Sequence, residues 1–576
     1  MESNSPLSLA ERTELAALLF PDAESLPTLA SLEARYPARP LSPEAMVTRV
    51  APSPTGFAHI GFVYMSLINR RFAHQTGGRF LLRIEDTDTK REVSGAFETI
   101  INTLAFFGLD PDEGFVRGRT AQFEEIGDYG PYLQSTRRDI YRAMTYHLVK
   151  TGFAYPCFCT EEELTRAGEL QSLQKVRPGY YGKWAVWRDA SLEKIKGALA
   201  EKKPFVIRLR TFGDPTKRTT WDDGVKGDMS MPESDLDIVI LKSDGQSLYH
   251  LAHAIDDHFM RITHVVRGDE WVSSVPTHIQ IFKAFGWQHP HYSHLSTIQK
   301  LEMVTETDPD TGAAVERQSK RKLSKRKDPE ANAGFYYEMG FPPGAVTEYL
   351  LNIANSDFED WRRANPDTPE SAFTVKIAKL SPAGALADTV KLASISKEVI
   401  GRMTIDQLHA EALGWAKRYD EPLAALMERD PEYTRRCLNI ERGGKKPSKR
   451  ITTWRDLRPQ IAWLFDEVFH EIQSLEFPEN VSPADRAAIV SEFLTTYDPA
   501  DNRDVWFEKC KAVARALGFA GEMKEYKANP TAFKGNVGDV TMVLRVAASG
   551  SRQSPDLHEV MQILGRSRLE ARLKRA

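Results

Sequence analysis

Two short segments carry residues able to handle a phosphate. The first is residues 51–61, A-P-S-P-T-G-F-A-H-I-G. Its small residues and Gly56 let backbone approach a ligand closely. A helix starting just after it would offer free N–H groups and a positive dipole end to an anion. His59 stands at that helix start, where a ring nitrogen can donate to a phosphoryl oxygen; a plain Pro-Gly turn with a capping histidine has the same pattern. The second segment, residues 317–327, R-Q-S-K-R-K-L-S-K-R-K, holds seven basic residues in eleven. Runs of this kind serve as solvated loops, localisation signals or polyanion patches. Folded over the first turn, its lysines would be point charges on a leaving pyrophosphate. No G-x-G-x-x-G follows a strand and no G-x-x-x-x-G-K-S/T occurs, which disfavours a dinucleotide enzyme or a P-loop ATPase.

The elements around these segments predict how they are held. Residues 47–51 read as a strand ended by Pro52, Pro54 and Gly56. From 58 to about 76, Ile60, Tyr64, Leu67, Ile68 and Phe72 recur at helical spacing, and Gly77-Gly78 stops the helix. Residues 79–85 form an apolar run of strand length, so strand, helix and strand predict a βαβ unit and a parallel sheet. Strand signals resume at 236–241 and 262–267, after a Gly-, Tyr- and Trp-rich break at 178–187 and a mixed α/β stretch. One sheet domain is thus interrupted by an insertion. Beyond about residue 330 the pattern is helical. At the other end, a helix-like segment (8–19) and a Pro-rich run form an appended element with no legible function.

The chain has 576 residues, enough for several domains, with 41% hydrophobic and 27% charged residues. Its net charge of −4 leaves any RNA contact to local basic patches. Four cysteines argue against a disulfide scaffold. The N-terminus lacks the charged lead of a signal peptide, and no run approaches the ~20 apolar residues of a membrane span. We expect a cytoplasmic protein.

P-S-P-T-G-F-A-H-I-G, R-I-E-D-T-D (83–88) and K-L-S-K-R (322–326), in that order, resemble the glutamyl-tRNA synthetase family of class I aminoacyl-tRNA synthetases. Further matches are Y-H-L-A-H-A-I-D-D-H (249–258), V-V-R-G-D-E-W (265–271) and A-F-G-W (284–287). The similarity is dense in the catalytic half and thinner after residue 345. The glutamine-specific relatives usually read P-E-P-N-G and D-D-T-N where this chain has P-S-P-T-G and E-D-T-D, which favours glutamate.

The resemblance implies an α/β fold: a class I Rossmann-like parallel-sheet catalytic domain with an inserted α/β acceptor-binding domain, then an all-α anticodon-binding region. The boundaries expected are an N-terminal extension (1–45), catalytic halves (46–150 and 236–300), the insertion (151–235), the lysine loop with a helical stem-contact domain (301–430) and the anticodon domain (431–576). It implies ATP-dependent attachment of L-glutamate to tRNA(Glu) through a glutamyl-adenylate, with Mg²⁺ on the phosphates and a monomeric enzyme.

It also assigns positions. Arg49, Ala51 and Ser53 would line the amino-acid pocket, Arg49 pairing with the substrate side-chain carboxylate in bidentate fashion. Glu85 would face the substrate ammonium, Arg267 the α-carboxylate, with Tyr249, His253 and Trp271 completing the pocket. Thr55, Gly56, His59, Gly61, Ser324 and Lys325 would bind ATP, with His59, Lys322 and Lys325 acting on the phosphates. Phe62 stands where the family's H-I-G-H has its second histidine, and His253 where it usually has asparagine. Residues 301–319 form a long polar insertion ahead of the lysines, expected to alter that loop's mobility. Family members that bind zinc use a C-x-C pair and a later Cys/His pair. Here Cys157 and Cys159 are followed by no Cys or His through 249, so no zinc and two buried thiols are expected. In the helical half, Arg442, Lys445, Lys446, Lys449 and Arg450 beside Trp454 are the expected tRNA contacts, phosphates on the cations and a base on the aromatic face. The closing basic segment, 565–575, is expected to be a helix that packs rather than binds RNA.

Overall fold

The computed structural model describes residues 3–87, 93–118, 122–307, 314–324, 326–382, 384–443 and 448–575. The chain divides into two compact units, Met1–Phe335 with Thr347–Asp388, and Tyr336–Val346 with Thr389–Ala576.

In the first unit, α1 (Leu9–Leu19) opens on a capping box of Ser8 and Glu11, and α2 (Leu29–Arg35) follows. Then β1 (Val47–Val50), α3 (Ile60–Gln75) and β2 (Arg79–Leu82) make the expected βαβ unit, parallel with Val47 opposite Arg79. A side chain at Gly78 would bring its Cβ within 1.9 Å of the Met46 carbonyl oxygen, so only glycine lets the chain re-enter the sheet there. Next come α4 (Ala96–Phe106), the hairpin β3 (Gly114–Arg117) and β4 (Phe123–Ile126), and α5 (Arg138–Thr151).

The stretch after α5 holds β5 (Ala154–Cys157), α6 (Glu161–Leu173), α7 (Leu192–Ala200), β6 (Val206–Leu209), β7 (Arg218–Asp223) and β8 (Gly227–Pro232). After β9 (Val239–Leu241), the helices α8 (Tyr249–Phe259) and α9 (Val275–Phe285) flank β10 (His264–Gly268), and β11 (His291–Leu295) pairs with β10 in parallel, Arg267 opposite His294. The β7–β8 hairpin joins the same sheet, in the order β10-β11-β7-β8, with Asp223 opposite Tyr292. One hydrophobic core runs from Leu15, Leu32 and Tyr36 through Leu81, Ile140 and Leu148 to Ile255 and Phe282. The N-terminal segment is therefore part of this core: Tyr36 is fully buried and its hydroxyl donates to the Gly130 carbonyl at 2.8 Å.

The described residues of the expected polar insertion, 301–307 and 314–319, lie in two paired strands, which sequence reasoning did not expect. β12 (Gln299–Thr307) runs antiparallel to β13 (Ala314–Lys322), from Gln299–Lys322 to Thr307–Ala314. β-Branched Val304 and Thr305 suit a strand, and Glu302 pairs with Arg321 across it. The first half of the basic run is thus a strand, and only its end turns away.

The second unit is helical among its described residues. Its core draws on Leu408, Met427, Leu457, Phe493, Val540 and Leu569. The helix Leu557–Leu573 breaks at Gly565, whose φ of 68° is left-handed, and continues as the expected closing basic helix. Arg572 is 1% exposed there, donating to the carbonyls of Leu464 and Trp463 and pairing with Asp466, so this segment packs. No described helix is long and apolar enough to cross a membrane.

Candidate active site

A cavity of about 790 Å³ opens where β1, β10 and the end of β13 meet the start of α3. Arg49, Ala51, Ser53, Glu85, Tyr249, Arg267 and Trp271 line one part of it, and Thr55, His59, Gly61 and Lys322 the other. Gly56, His253 and Ser324 are not in its wall, and Lys325 lies outside the described residues.

The charged end rests on a buried ion cluster. Arg49 Nε is 3.1 Å from Asp257 Oδ1, and Arg83 Nη1 is 2.6 Å from the same oxygen. Arg83 also reaches Glu85 at 3.1 Å, while Asp256 accepts from Arg137, Gln134 and Tyr141. Burial pulls the Arg83 guanidinium down, but Asp257, Asp256 and Glu85 raise it well above its ordinary value. Burial pushes the Glu85 carboxyl up, against the pull of Arg83 and Arg49. Asp257 occupies the Nε side of Arg49, and His253 Nδ1 lies 3.4 Å from its Nη2.

His253 departs from its expected place. It is fully buried behind the wall, with Nδ1 3.1 Å from Asp257 Oδ2 and its ring stacked on Tyr249 at 5.6 Å. Burial, then Arg267, Arg49 and Arg83, hold its pKa well below the usual histidine range. The neutral ring belongs to the support of Arg49 and Tyr249, because a residue one turn before Asp257 on α8 faces the carboxylate rather than the cavity. Tyr249 in turn packs on Trp271 at 4.3 Å.

At the other end His59 caps α3. Its Nδ1 accepts from the Gly61 N–H at 2.9 Å, so the proton sits on Nε2, which lies 3.4 Å from the Leu323 carbonyl. That contact joins the two phosphate-handling segments. Leu323 is buried and bonded to Ile298, which brings Lys322 to the cavity with its Nζ 4.0 Å from Glu270. Ser324 instead closes a turn, its N–H donating to Asp328 at 2.9 Å.

The chain matches known proteins over nearly its whole length. Residues 45–362 match the family model for tRNA synthetases class I (E and Q), catalytic domain, and residues 423–576 that for an anticodon binding domain. A glutamate–tRNA ligase of Sorangium cellulosum is 54% identical over 567 residues, covering 97% of this chain and 99% of that one. One from Acetivibrio thermocellus is 43% identical, covering 94% and 95%. The chain belongs to the glutamate–tRNA ligase family. A crystal structure of a glutamate tRNA ligase from Elizabethkingia meningosepticum in complex with its amino acid has the same fold, with a TM-score of 0.68 at 26% identity, covering 92% of this chain and 99% of that one.

In the second unit the expected RNA contacts separate into two kinds. Trp454 is 3% exposed, with its backbone N–H on the Gly340 carbonyl, and Arg442 donates to the carbonyls of Ile400 and Met403 at the end of the helix Thr389–Arg402. These two are corrected to structural roles: an indole sealed in the core has no face for a base, and the guanidinium satisfies carbonyls that a helix end leaves open. Lys449 and Arg450 are exposed, pairing with Glu398 and Glu441. Lys445 and Lys446 lie outside the described residues.

Cys157 is buried and Cys159 half-buried, 3.4 and 3.7 Å from the Tyr180 hydroxyl, so one of the two thiols is less enclosed than expected. Among the described residues no three His, Cys, Asp or Glu side chains group to hold a metal ion. Sequence reasoning missed Asp257, Asp223, His278 and His294 around the pocket. Only Asp257 left a local signal, the i, i+4 spacing from His253 on one helix face.

Proposed function

We propose that this enzyme activates L-glutamate with ATP and transfers it to tRNA(Glu). The glutamate carboxylate attacks the α-phosphorus, giving glutamyl-adenylate and pyrophosphate. A terminal ribose hydroxyl of the tRNA then attacks the activated carbonyl and AMP leaves. The observation that carries this is a shared cavity in which a positive bowl, Arg49 and Arg267 with Glu85 between them in charge, adjoins His59 and Lys322. One end suits an amino acid with two carboxylates and an ammonium, the other a polyphosphate.

In this reading Arg49 takes the side-chain carboxylate, Arg267 the α-carboxylate and Glu85 the ammonium, while His59 Nε2 and Lys322 stabilise charge on the phosphates. Ser53, Ala51, Tyr249 and Trp271 shape the pocket, and Thr55, Gly61 and Lys325 serve the nucleotide, which enters with Mg²⁺ on its phosphates. Lys449, Arg450, Lys445 and Lys446 hold tRNA phosphates. We take the enzyme to be a cytoplasmic monomer without zinc, divided as the sequence suggests at about 45, 150, 235, 300 and 430. Pyrophosphate exchange with labelled ATP, run with glutamate or glutamine and with or without tRNA, tests it. Exchange with glutamate and tRNA is expected; exchange with neither amino acid would overturn the proposal.

A further inference from the structure

Every polar atom of the Arg267 guanidinium has a neighbour, and the neighbours differ in kind. Its Nε donates to His294 Nε2 at 3.1 Å on the adjacent strand. Nη1 lies 3.4 Å from the Tyr249 hydroxyl, Nη2 3.3 Å from the Trp271 carbonyl, and both are 3.4 Å from His278 Nδ1. The Nε contact is the shortest of these and lies on the buried side, since His294 is fully buried. The Nη contacts are long, and Tyr249 and Trp271 belong to the cavity wall.

The chemistry of the partners fixes the protons. A guanidinium has no lone pair to offer, so His294 Nε2 must accept, and its proton sits on Nδ1. That nitrogen lies 2.5 Å from Asp223 Oδ2, a carboxylate that only accepts when ionised. Asp223 is held in turn by the backbone N–H groups of His294, Val225 and Lys226 on its other oxygen. The three side chains form a directed chain, carboxylate to imidazole to guanidinium, with one tautomer allowed. The groups facing His294 are Asp223 from β7, Lys226 from the β7–β8 turn, Arg267 from β10 and Tyr292, whose ring stacks at 6.0 Å.

We infer that His294 is a positioning residue for Arg267, and that Asp223, supplied by the β7–β8 hairpin, fixes the tautomer that lets it serve. An aspartate placed directly on Nε, as Asp257 is for Arg49, would also hold the guanidinium, but it would offset part of its charge. A neutral imidazole anchors the plane of the fork and leaves its charge for the ligand. Long arginine side chains otherwise lose rotamer freedom when they bind, and a pre-set fork avoids that loss. The hairpin after β6 thereby sets the amino-acid pocket without touching it.

This inference rests on Arg267 being the α-carboxylate contact, so the test includes that residue. Glutamate and ATP dependence of tRNA-dependent pyrophosphate exchange would be measured for the full-length enzyme and for His294→Leu, His294→Gln, Asp223→Asn and Arg267→Gln, each with its melting temperature. We expect His294→Leu to raise the KM for glutamate roughly 10- to 100-fold with the KM for ATP unchanged, the scale of a displaced positioning group. His294→Gln, whose amide oxygen can accept from Nε, should recover most of that loss, and Asp223→Asn should fall between. If Arg267→Gln raises the glutamate KM while His294→Leu and Asp223→Asn leave it within about twofold of wild type, the positioning role is wrong. If Arg267→Gln itself leaves the glutamate KM unchanged, the assignment of Arg267 fails instead. Should His294→Leu not fold, the Gln and Asn variants decide alone: a glutamate KM rise in neither, or an equal rise in glutamate and ATP KM, overturns the inference.

Discussion

Arg49 and Asp257 form a buried pair, Nε to Oδ1 at 3.1 Å, with side chains 4% and 0% exposed. The carboxylate is shared with Arg83, so it balances two cations at once. Burial acts to raise the Asp257 pKa, but Arg49 and Arg83 bring it below its ordinary value.

Replacing Asp257 by asparagine should leave two guanidinium groups under-compensated in a dry site. Breaking such a pair from one side costs about 3–5 kcal/mol. A lower midpoint in urea is expected, together with a raised glutamate KM. A variant as stable as wild type would show that water reaches Arg49 and Arg83 and that the cluster is not sealed.

His59 has two separable tasks. Its Nδ1 caps α3 while Nε2 faces the phosphate end. His59→Ala should lose about 1 kcal/mol of stability and slow activation roughly 10²- to 10³-fold, as for loss of one preorganised donor. His59→Asn keeps a capping oxygen, so it should regain the stability and not the rate. Recovery of both by asparagine would reduce His59 to a cap.

Acid should weaken the folded state well before its carboxylates titrate. Burial lowers the pKa of His250, His253, His278 and His294, and that of His264 to about 4. The unfolded chain takes up these protons near pH 6.5, so stability falls as pH drops below about 6.5 and keeps falling towards 4 for His264, by up to about 1.4 kcal/mol per pH unit for each proton. Asp223 adds to this lower down. Burial opposes its charge, yet the bonds from His294 hold it at about 2, so its contribution is present above about pH 4 and is lost between 4 and 2. Melting temperatures from pH 8 to 5 check the first part; a flat profile would mean that these rings are already solvated.

Trp454→Ala should unfold the second unit more easily, by about 3–5 kcal/mol, with little specific effect on tRNA. Lys449→Ala and Arg450→Ala should do the opposite, weakening tRNA binding and lowering its salt slope by about one for each phosphate no longer held. Filter binding across a salt series, beside thermal melts, separates the two. Unchanged salt dependence in the lysine and arginine variants would remove them from the interface.

The βαβ unit was readable because its signals are local: prolines closing β1, apolar spacing in α3, and glycines behind it. The pocket was readable where short motifs carry it, at 51–61, 83–87 and 265–271. What could not be read depends on distant chain segments meeting. Asp223 and His294 are separated by 71 positions and joined only by sheet pairing. Trp454 beside basic residues looks like an RNA platform until packing seals it. The paired strands at 299–307 and 314–322 hide their alternation under a high charge density, and His253 takes its role from sharing one face of α8 with Asp257.

The opening residues hold the far end of the helix that frames the pocket. Glu33 pairs with His258 and Arg261 at 2.7 and 2.6 Å, Arg261 donates to the Tyr36 carbonyl, and Tyr36 packs on Phe259. Helix α8 is therefore pinned twice, by Tyr249 in the cavity wall and by this clasp about three turns further on. Glu33 and Tyr36 thus brace, from the opening segment of the chain, the same helix that supplies Tyr249 to the cavity wall.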